Sequence, residues 1–181
     1  MRRFFLILWA VVMFGFGPCQ AAPSQLYNKT VAIGWTVQGM VRDPDGKEHG
    51  SNSSINYIVY VSSAGRVFEK ASRSIGNRTG SSESEPGANR TKNGEARGLQ
   101  FQGNKMVINR GYSGGGGSGA MLAVVSFDPS FSSCTLNVTH GKEGGGVIKR
   151  KSMDGIVREL LQLNVKSTSC SIREGNPFAD N

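Results

Sequence analysis

Three residues of this sequence have side chains that could carry out covalent catalysis: a serine in a glycine-rich segment, an aspartate and a histidine. Gly111-Tyr112-Ser113-Gly114-Gly115 matches the G-x-S-x-G pattern of hydrolases, and Asp128 and His140 follow in the chain order of that class. The chemistry requires Ser113 on a sharp strand-to-helix turn beside an oxyanion hole. Here more glycine follows, and then a β-rich segment, so the pattern favours a flexible hairpin loop. A small secreted hydrolase stays open as an alternative function.

Two further motifs suggest ligand binding but lack the context that such sites need. Gly114–Gly119 contains the G-x-G-x-x-G spacing, which must open a helix at a dinucleotide site, whereas residues 120–127 have the composition of a strand. Asp43 and Asp45 lack the third ligand and the distal glutamate of a calcium loop. The sequence therefore indicates no cofactor.

Two cysteines, Cys134 and Cys170, remain once the N-terminal leader is removed. An even count in an exported protein predicts one disulfide bond. His49 and His140 stand apart from each other and from the cysteines, without the close ligand spacing of a zinc site. We therefore expect a disulfide and no metal.

The mature chain is basic. Without Arg2 and Arg3 it has 19 basic and 13 acidic residues, a net charge of +6. Such a charge favours contact with anionic surfaces such as nucleic acid, lipid head groups or acidic polysaccharide. Lys149-Arg150-Lys151 is the densest basic group, and we expect it either to contact a polyanion or to protect an exposed sheet edge from pairing.

Most of the elements that must position these residues have the sequence pattern of β-strands. Thr30–Gln38 and Ile55–Ser62 alternate strictly between apolar and polar residues, which is typical of half-buried strands. Asp43-Pro44-Asp45-Gly46 has the composition of a type I turn, and Ser63-Ala64-Gly65 that of a short connection with Gly65 at positive φ.

The second half of the chain continues this pattern. We expect strands at Leu99–Gln102, Lys105–Arg110, Cys134–Thr139 and Ser169–Ile172, a glycine-serine loop at Ser113–Gly119, and a strand buried on both faces at Ala120–Phe127. Residues 147–165 have apolar residues at helical spacing, but Asp154-Gly155 is a strong hairpin signal. We favour two strands there.

Residues 75–98 contain Gly, Ser, Asn, Arg and Glu with almost nothing apolar, which predicts a mobile loop. The whole pattern predicts a single all-β domain over residues 22–181, with about eight to ten short strands in an antiparallel β-sandwich or a closed barrel.

The N-terminus has the three parts of a cleavable secretory signal. Arg2 and Arg3 precede the apolar run Phe4–Phe16, which is too short to span a bilayer, and Cys19 and Ala21 place small residues at the recognition positions. We expect Sec-type export with cleavage after Ala21, ahead of twin-arginine export or a lipoprotein signal at Cys19. The destination is the periplasm or the extracellular space.

Several strand and loop segments carry a resemblance. They are Val61–Phe68, Val125–Asp128, Phe131–Cys134, Gly141-Lys142-Glu143 and Cys170–Phe178. In these segments the chain resembles small secreted proteins of rhizobia-type alphaproteobacteria. The resemblance implies a Gram-negative envelope or extracellular setting, and it supplies neither an activity nor site residues.

These observations lead to one functional expectation and two alternatives. We expect a non-catalytic secreted binding or structural domain of the cell envelope, with anionic polymers as the candidate partners. A small secreted hydrolase is one alternative. An eight-stranded outer-membrane barrel is the other, because the faces alternate, although several predicted strands are shorter than the roughly 9 to 11 residues such strands need.

Overall fold

The structure, a computed structural model, describes residues 21–75, 78–82, 98–142, 146–152 and 155–178. A short 3₁₀ turn at Ser24–Leu26 precedes ten antiparallel strands: β1 Lys29–Arg42, β2 Glu48–Val61, β3 Val67–Ile75, β4 Arg78–Ser82, β5 Leu99–Gln102, β6 Lys105–Gly114, β7 Gly117–Phe127, β8 Cys134–Lys142, β9 Ile148–Lys151 and β10 Val157–Glu174. They form a six-stranded sheet in the order β4-β3-β2-β1-β10-β9 and a four-stranded sheet in the order β5-β6-β7-β8. The predicted all-β sandwich is confirmed, and the sheets do not close into a barrel.

The core lies between the inner faces of the two sheets. Period-two alternation turns Val31, Ile33, Trp35 and Val37 of β1 inward, and all four are buried. The four-stranded sheet contributes the residues that face them: Met106, Ile108, Ala123, Val125 and Phe127. Full burial of each large apolar side chain stabilises the fold by about 1.5–3 kcal/mol, so these two rows account for much of its stability.

The predicted turns are confirmed. The Gly46 N–H donates to the Asp43 carbonyl at 2.9 Å, and Gly46 and Gly65 have φ of 87° and 73°. Gly155 has φ of 85° in the turn between β9 and β10, which confirms two strands over residues 147–165. Glycine is needed at such positions because side chains with a Cβ disfavour positive φ.

Two expectations for the β6–β7 hairpin are wrong. The predicted Ser113–Gly119 loop is almost entirely strand, with only Gly115 and Gly116 in the turn at φ of 61° and 86°. Two consecutive positive φ values match the right-handed twist of the flanking strands, so the glycines form a tight hairpin. Strand β7 also has one buried face rather than two, since Leu122 is 38% exposed.

Three strands are much longer than expected. Strands β1 and β2 each have 14 residues, and the short strand expected at Ser169–Ile172 is the end of the 18-residue β10. The register between β10 and β1 shifts at Lys166 and at Leu161. Each extra residue interrupts the apolar–polar alternation that indicates a strand. The sequence pattern therefore predicted separate short strands where β10 is continuous.

The predicted mobile loop at 75–98 contains a strand. Strand β4, Arg78–Ser82, pairs with β3 despite its polar composition, because a free strand edge supplies hydrogen-bond partners to any backbone. Residues 83–97 of that loop, and residues 1–20 of the predicted signal, lie outside the described residues.

One disulfide joins the two sheets. Cys134 begins β8 and Cys170 lies near the end of β10, with their Cα atoms 5.7 Å apart. The predicted pairing is thereby confirmed. A disulfide of this kind is typical of an oxidising, extracytoplasmic compartment.

Candidate functional site

The six-stranded sheet has a long face that points away from the core, here named the outer face. Its central strands each contribute every second residue, because residues two apart in a strand point the same way. Most are small or uncharged and polar: Ala32, Gly34, Thr36 and Gln38 from β1, Asn52, Ser54 and Asn56 from β2, Ser72 and Ser74 from β3, and Ser167, Ser169 and Ser171 from β10. The outer face therefore offers hydroxyl and amide groups in one layer.

Close packing holds the centre of this layer in place. A Cβ added at Gly34 would stand 2.9 Å from Ser169 Oγ and 3.1 Å from Asn56 Oδ1, so only glycine fits there without a shift. Ser169 Oγ donates to the Gly34 carbonyl at 3.3 Å, and Thr36 Oγ1 lies 2.7 Å from Ser167 Oγ. Side chains from neighbouring strands thus fix one another.

A groove of about 490 Å³ opens on the outer face. The outward-pointing side chains that line it are Thr36, Gln38, Asn52, Ser54, Ser74 and Lys166. Lys166 is the extra residue where the β1–β10 register shifts, and such bulges re-aim a side chain. Lys166 thereby adds a basic side chain to a lining whose other described, outward-pointing residues bear hydroxyls and amides, and Val37 and Ser53 complete the described lining.

The outer face is also basic. Its described strand residues include Arg42, Lys70, Lys149, Lys151, Lys166 and Arg173, against the two acidic residues Glu48 and Glu159. Both carboxylates contact Arg42, with Nη2 at 2.6 Å from Glu48 Oε1 and Nη1 at 3.3 Å from Glu159 Oε2. The hydrogen bond with Glu48 is the main reason that the pKa of Arg42 is raised. The other basic residues therefore dominate the charge of this face.

The basic triplet singled out in the sequence is divided between two faces. Lys149 and Lys151 are exposed on the outer face, and Arg150 between them points to the inner side, opposite Arg158 of β10. Strand β9 is an edge strand of the six-stranded sheet, so the triplet lies at a sheet edge.

The four-stranded sheet has an outward side with a different character, here named the opposite face. Lys105 is the one charged residue among its described side chains; the others are Gln100, Gln102, Val107, Asn109, Ser118, Ala120, Leu122, Val124, Ser126, Thr135, Asn137 and Thr139. A second groove of about 490 Å³ lies on this face, lined by Gln100, Val107, Asn109 and Ala120 beside glycines. Of the described side chains on these two outward surfaces, the basic ones are thus concentrated on the outer face of the six-stranded sheet.

A buried polar cluster lies between the sheets. Arg110 Nη2 contacts both carboxylate oxygens of Glu69 at 2.8 Å, and the Tyr57 hydroxyl donates to the same carboxylate. Glu69 is only 6% exposed. Burial, together with the charge of Glu69, raises the pKa of Tyr57, so the phenol stays protonated. This cluster was not predicted from the sequence, although the alternation of Val67, Glu69 and Ala71 places the glutamate on the apolar side of β3.

Three further basic groups also point to the inner sides of the sheets: Arg73, His140 and Arg150. Burial lowers the pKa of Arg73, and repulsion from Arg150 lowers it further. Arg73 Nη2 donates to Ser53 Oγ at 3.5 Å. Burial and the charge of Arg73 lower the pKa of His140, so its imidazole is uncharged at neutral pH. Arg150 therefore shares the inner side of its sheet with Arg73, and both residues remain exposed to solvent.

The hydrolase constellation is not brought together. Ser113 lies beside the β6–β7 turn, and Asp128 follows the far end of β7, about 30 Å away along the length of that strand. The Ser130 hydroxyl donates to the Asp128 carboxylate, as do the Ser132 and Ser133 N–H groups at 2.7 and 2.8 Å, and these bonds lower the pKa of Asp128. The matching order of residues in the sequence thus reflects no shared site.

Among the residues that the structure describes, no three His, Cys, Asp or Glu side chains are grouped as metal ligands. Within the same ranges, no helix has the length and apolar character needed to cross a membrane. No protein-family model, curated protein or solved structure matches the chain.

Proposed function

We propose that the mature chain is a non-catalytic exported domain of the cell envelope that binds anionic polymers on its outer face. The observation that carries this proposal is the unequal charge of the two outward surfaces. Among the described residues, the outer face has six basic residues against two acidic residues that both contact Arg42, whereas the opposite face has the single charge of Lys105. A polyanion is attracted to the former and not to the latter.

Each contact on such a face is weak. Exposed ion pairs are worth about 0–1 kcal/mol, so useful affinity requires several contacts along one polymer. Exposed charges are also screened over about 8 Å at physiological ionic strength, which makes the binding sensitive to salt. A spread of lysines along the sheet suits an extended polymer better than a small ion.

Export fits the disulfide. The proposed cleavage after Ala21 would leave Ala22 as the first residue of the mature chain. The proposed destination is the periplasm or the extracellular space of a Gram-negative cell, where the Cys134–Cys170 bond would remain oxidised.

Removal of the two edge lysines tests the proposed function. We expect Lys149→Ser/Lys151→Ser to elute from an acidic-polysaccharide or heparin resin at lower salt than the unchanged protein. Each lost exposed contact is worth less than about 1 kcal/mol, so the affinity should fall by up to about fivefold per lysine. The measurement is the elution salt concentration across a series of resins.

Two matched variants serve as controls. Lys105→Ser removes a lysine from the opposite face, and Arg150→Ser removes the member of the triplet that points inward. Both should elute close to the unchanged protein. Equal elution of the double variant and the unchanged protein would refute the proposal, as would a shift in Lys105→Ser as large as in the double variant.

A further inference from the structure

We propose that the polymer is an acidic polysaccharide and that its uronic acid residues sit in the groove of the outer face. This inference rests on the proposed function and adds the chemical class of the ligand. The sugar carboxylate would accept hydrogen bonds from the Lys166 ammonium group. The ring hydroxyls would pair with the hydroxyls and amides that surround it: Thr36, Gln38, Asn52, Ser54 and Ser74.

The outward-pointing side chains of the lining complement both chemical parts of a uronic acid, the charged carboxylate and the neutral hydroxyls. A uronic acid has one negative charge and several neutral hydroxyls that each donate and accept. Hydroxyl and amide side chains also donate and accept, and a lysine supplies the single cation. The groove volume of about 490 Å³ falls within the range of about 300–1,000 Å³ found for ligand sites.

Other anionic polymers fit the groove less well. Single-stranded nucleic acid binds through bases stacked on aromatic side chains, and the described residues of the groove lining include none. The aromatic cluster on the outer face combines Tyr60 of β2, Phe68 of β3 and Phe178, which follows β10. It lies at the ends of β2 and β3 away from the groove and packs on itself, with ring centroids 6.0 and 6.5 Å apart. A lipid surface requires an apolar contact area, whereas the outward-pointing side chains around Lys166 are polar.

The two groove amides allow the inference to be tested without a change of charge. Gln38 and Asn52 are exposed and lie directly opposite each other on β1 and β2. We expect Gln38→Ala/Asn52→Ala to bind oligomeric polygalacturonate about threefold to tenfold more weakly for each hydrogen bond removed. Binding of inorganic polyphosphate, which has no ring hydroxyls, should stay unchanged. Calorimetric titration of both polymers at low salt gives the two affinities.

The control is Gln100→Ala/Asn109→Ala, which removes two amides from the uncharged groove of equal volume on the opposite face. It should bind both polymers as the unchanged protein does. If neither polymer binds to the unchanged protein, the proposed function and the inference both fail. If both bind but the Gln38→Ala/Asn52→Ala variant weakens neither or both equally, the inference fails while the proposed function stands. Tighter binding of a single-stranded oligonucleotide than of polygalacturonate would also overturn the inference.

Discussion

Removal of the Cys134–Cys170 bond should lower the free energy of unfolding by about 4 kcal/mol. The cross-link joins residues 36 positions apart, and closing a loop of that length restricts the unfolded chain. A domain of this size is stable by about 5–15 kcal/mol in total, so the loss is a large fraction. Urea unfolding of Cys134→Ser/Cys170→Ser gives the value.

Chemical reduction of the unchanged protein supplies the matched comparison. It opens the same bond without replacing either sulfur, so it should give the same loss as the double variant. A loss below about 1 kcal/mol in both experiments would show that the bond does not restrict the unfolded state as the chain-entropy account requires.

Replacement of Arg110 by methionine should destabilise the fold by about 3 kcal/mol. Methionine keeps most of the side-chain volume but leaves the Glu69 carboxylate, 6% exposed, without the guanidinium that contacts both of its oxygens. An uncompensated buried charge of this kind typically costs about 3–5 kcal/mol. We expect the lower end of this range, because the Arg110 side chain is 31% exposed and water therefore has some access to the carboxylate once that side chain is replaced. Urea unfolding measures the change.

The reverse single variant should be milder. Glu69→Gln leaves a charged guanidinium, but water can reach that group because the Arg110 side chain is partly exposed. The combined variant Glu69→Gln/Arg110→Met removes both charges, so it should recover much of the stability lost in Arg110→Met. Arg66→Met, in the exposed β2–β3 turn, is the matched control and should stay within about 0.5 kcal/mol of the unchanged protein. A combined variant less stable than Arg110→Met would contradict the account of an uncompensated charge.

Local signals in the sequence were sufficient to predict three of the turns and the buried side of β1. Gly46, Gly65 and Gly155 adopt the positive φ that their turn motifs require. The alternation of Thr30–Gln38 predicted a half-buried strand, and the apolar residues of that strand, Trp35 among them, are buried. These features depend on a few neighbouring residues, so composition and period reveal them directly.

The candidate site could not be predicted in the same way. Its groove combines β1, β2, β3 and β10, and β10 lies beside β1 although more than a hundred residues separate them. Lateral strand order depends on long-range packing that no local pattern encodes. The bulge that brings Lys166 to the groove also interrupts the alternation, so the position of that lysine was not apparent from the sequence.

Backbone amide chemical shifts, followed by NMR during titration with oligomeric polygalacturonate at low salt, show directly whether the outer face binds an acidic polysaccharide. We expect the largest changes on the outer face, at Thr36, Gln38, Asn52, Ser54 and Lys166, with little change on β5, β6, β7 and β8. The changes should reverse as salt is added, because exposed charges are screened. Changes confined to the four-stranded sheet, or none at polymer concentrations that saturate the protein in calorimetry, would show that the outer face does not bind the polymer.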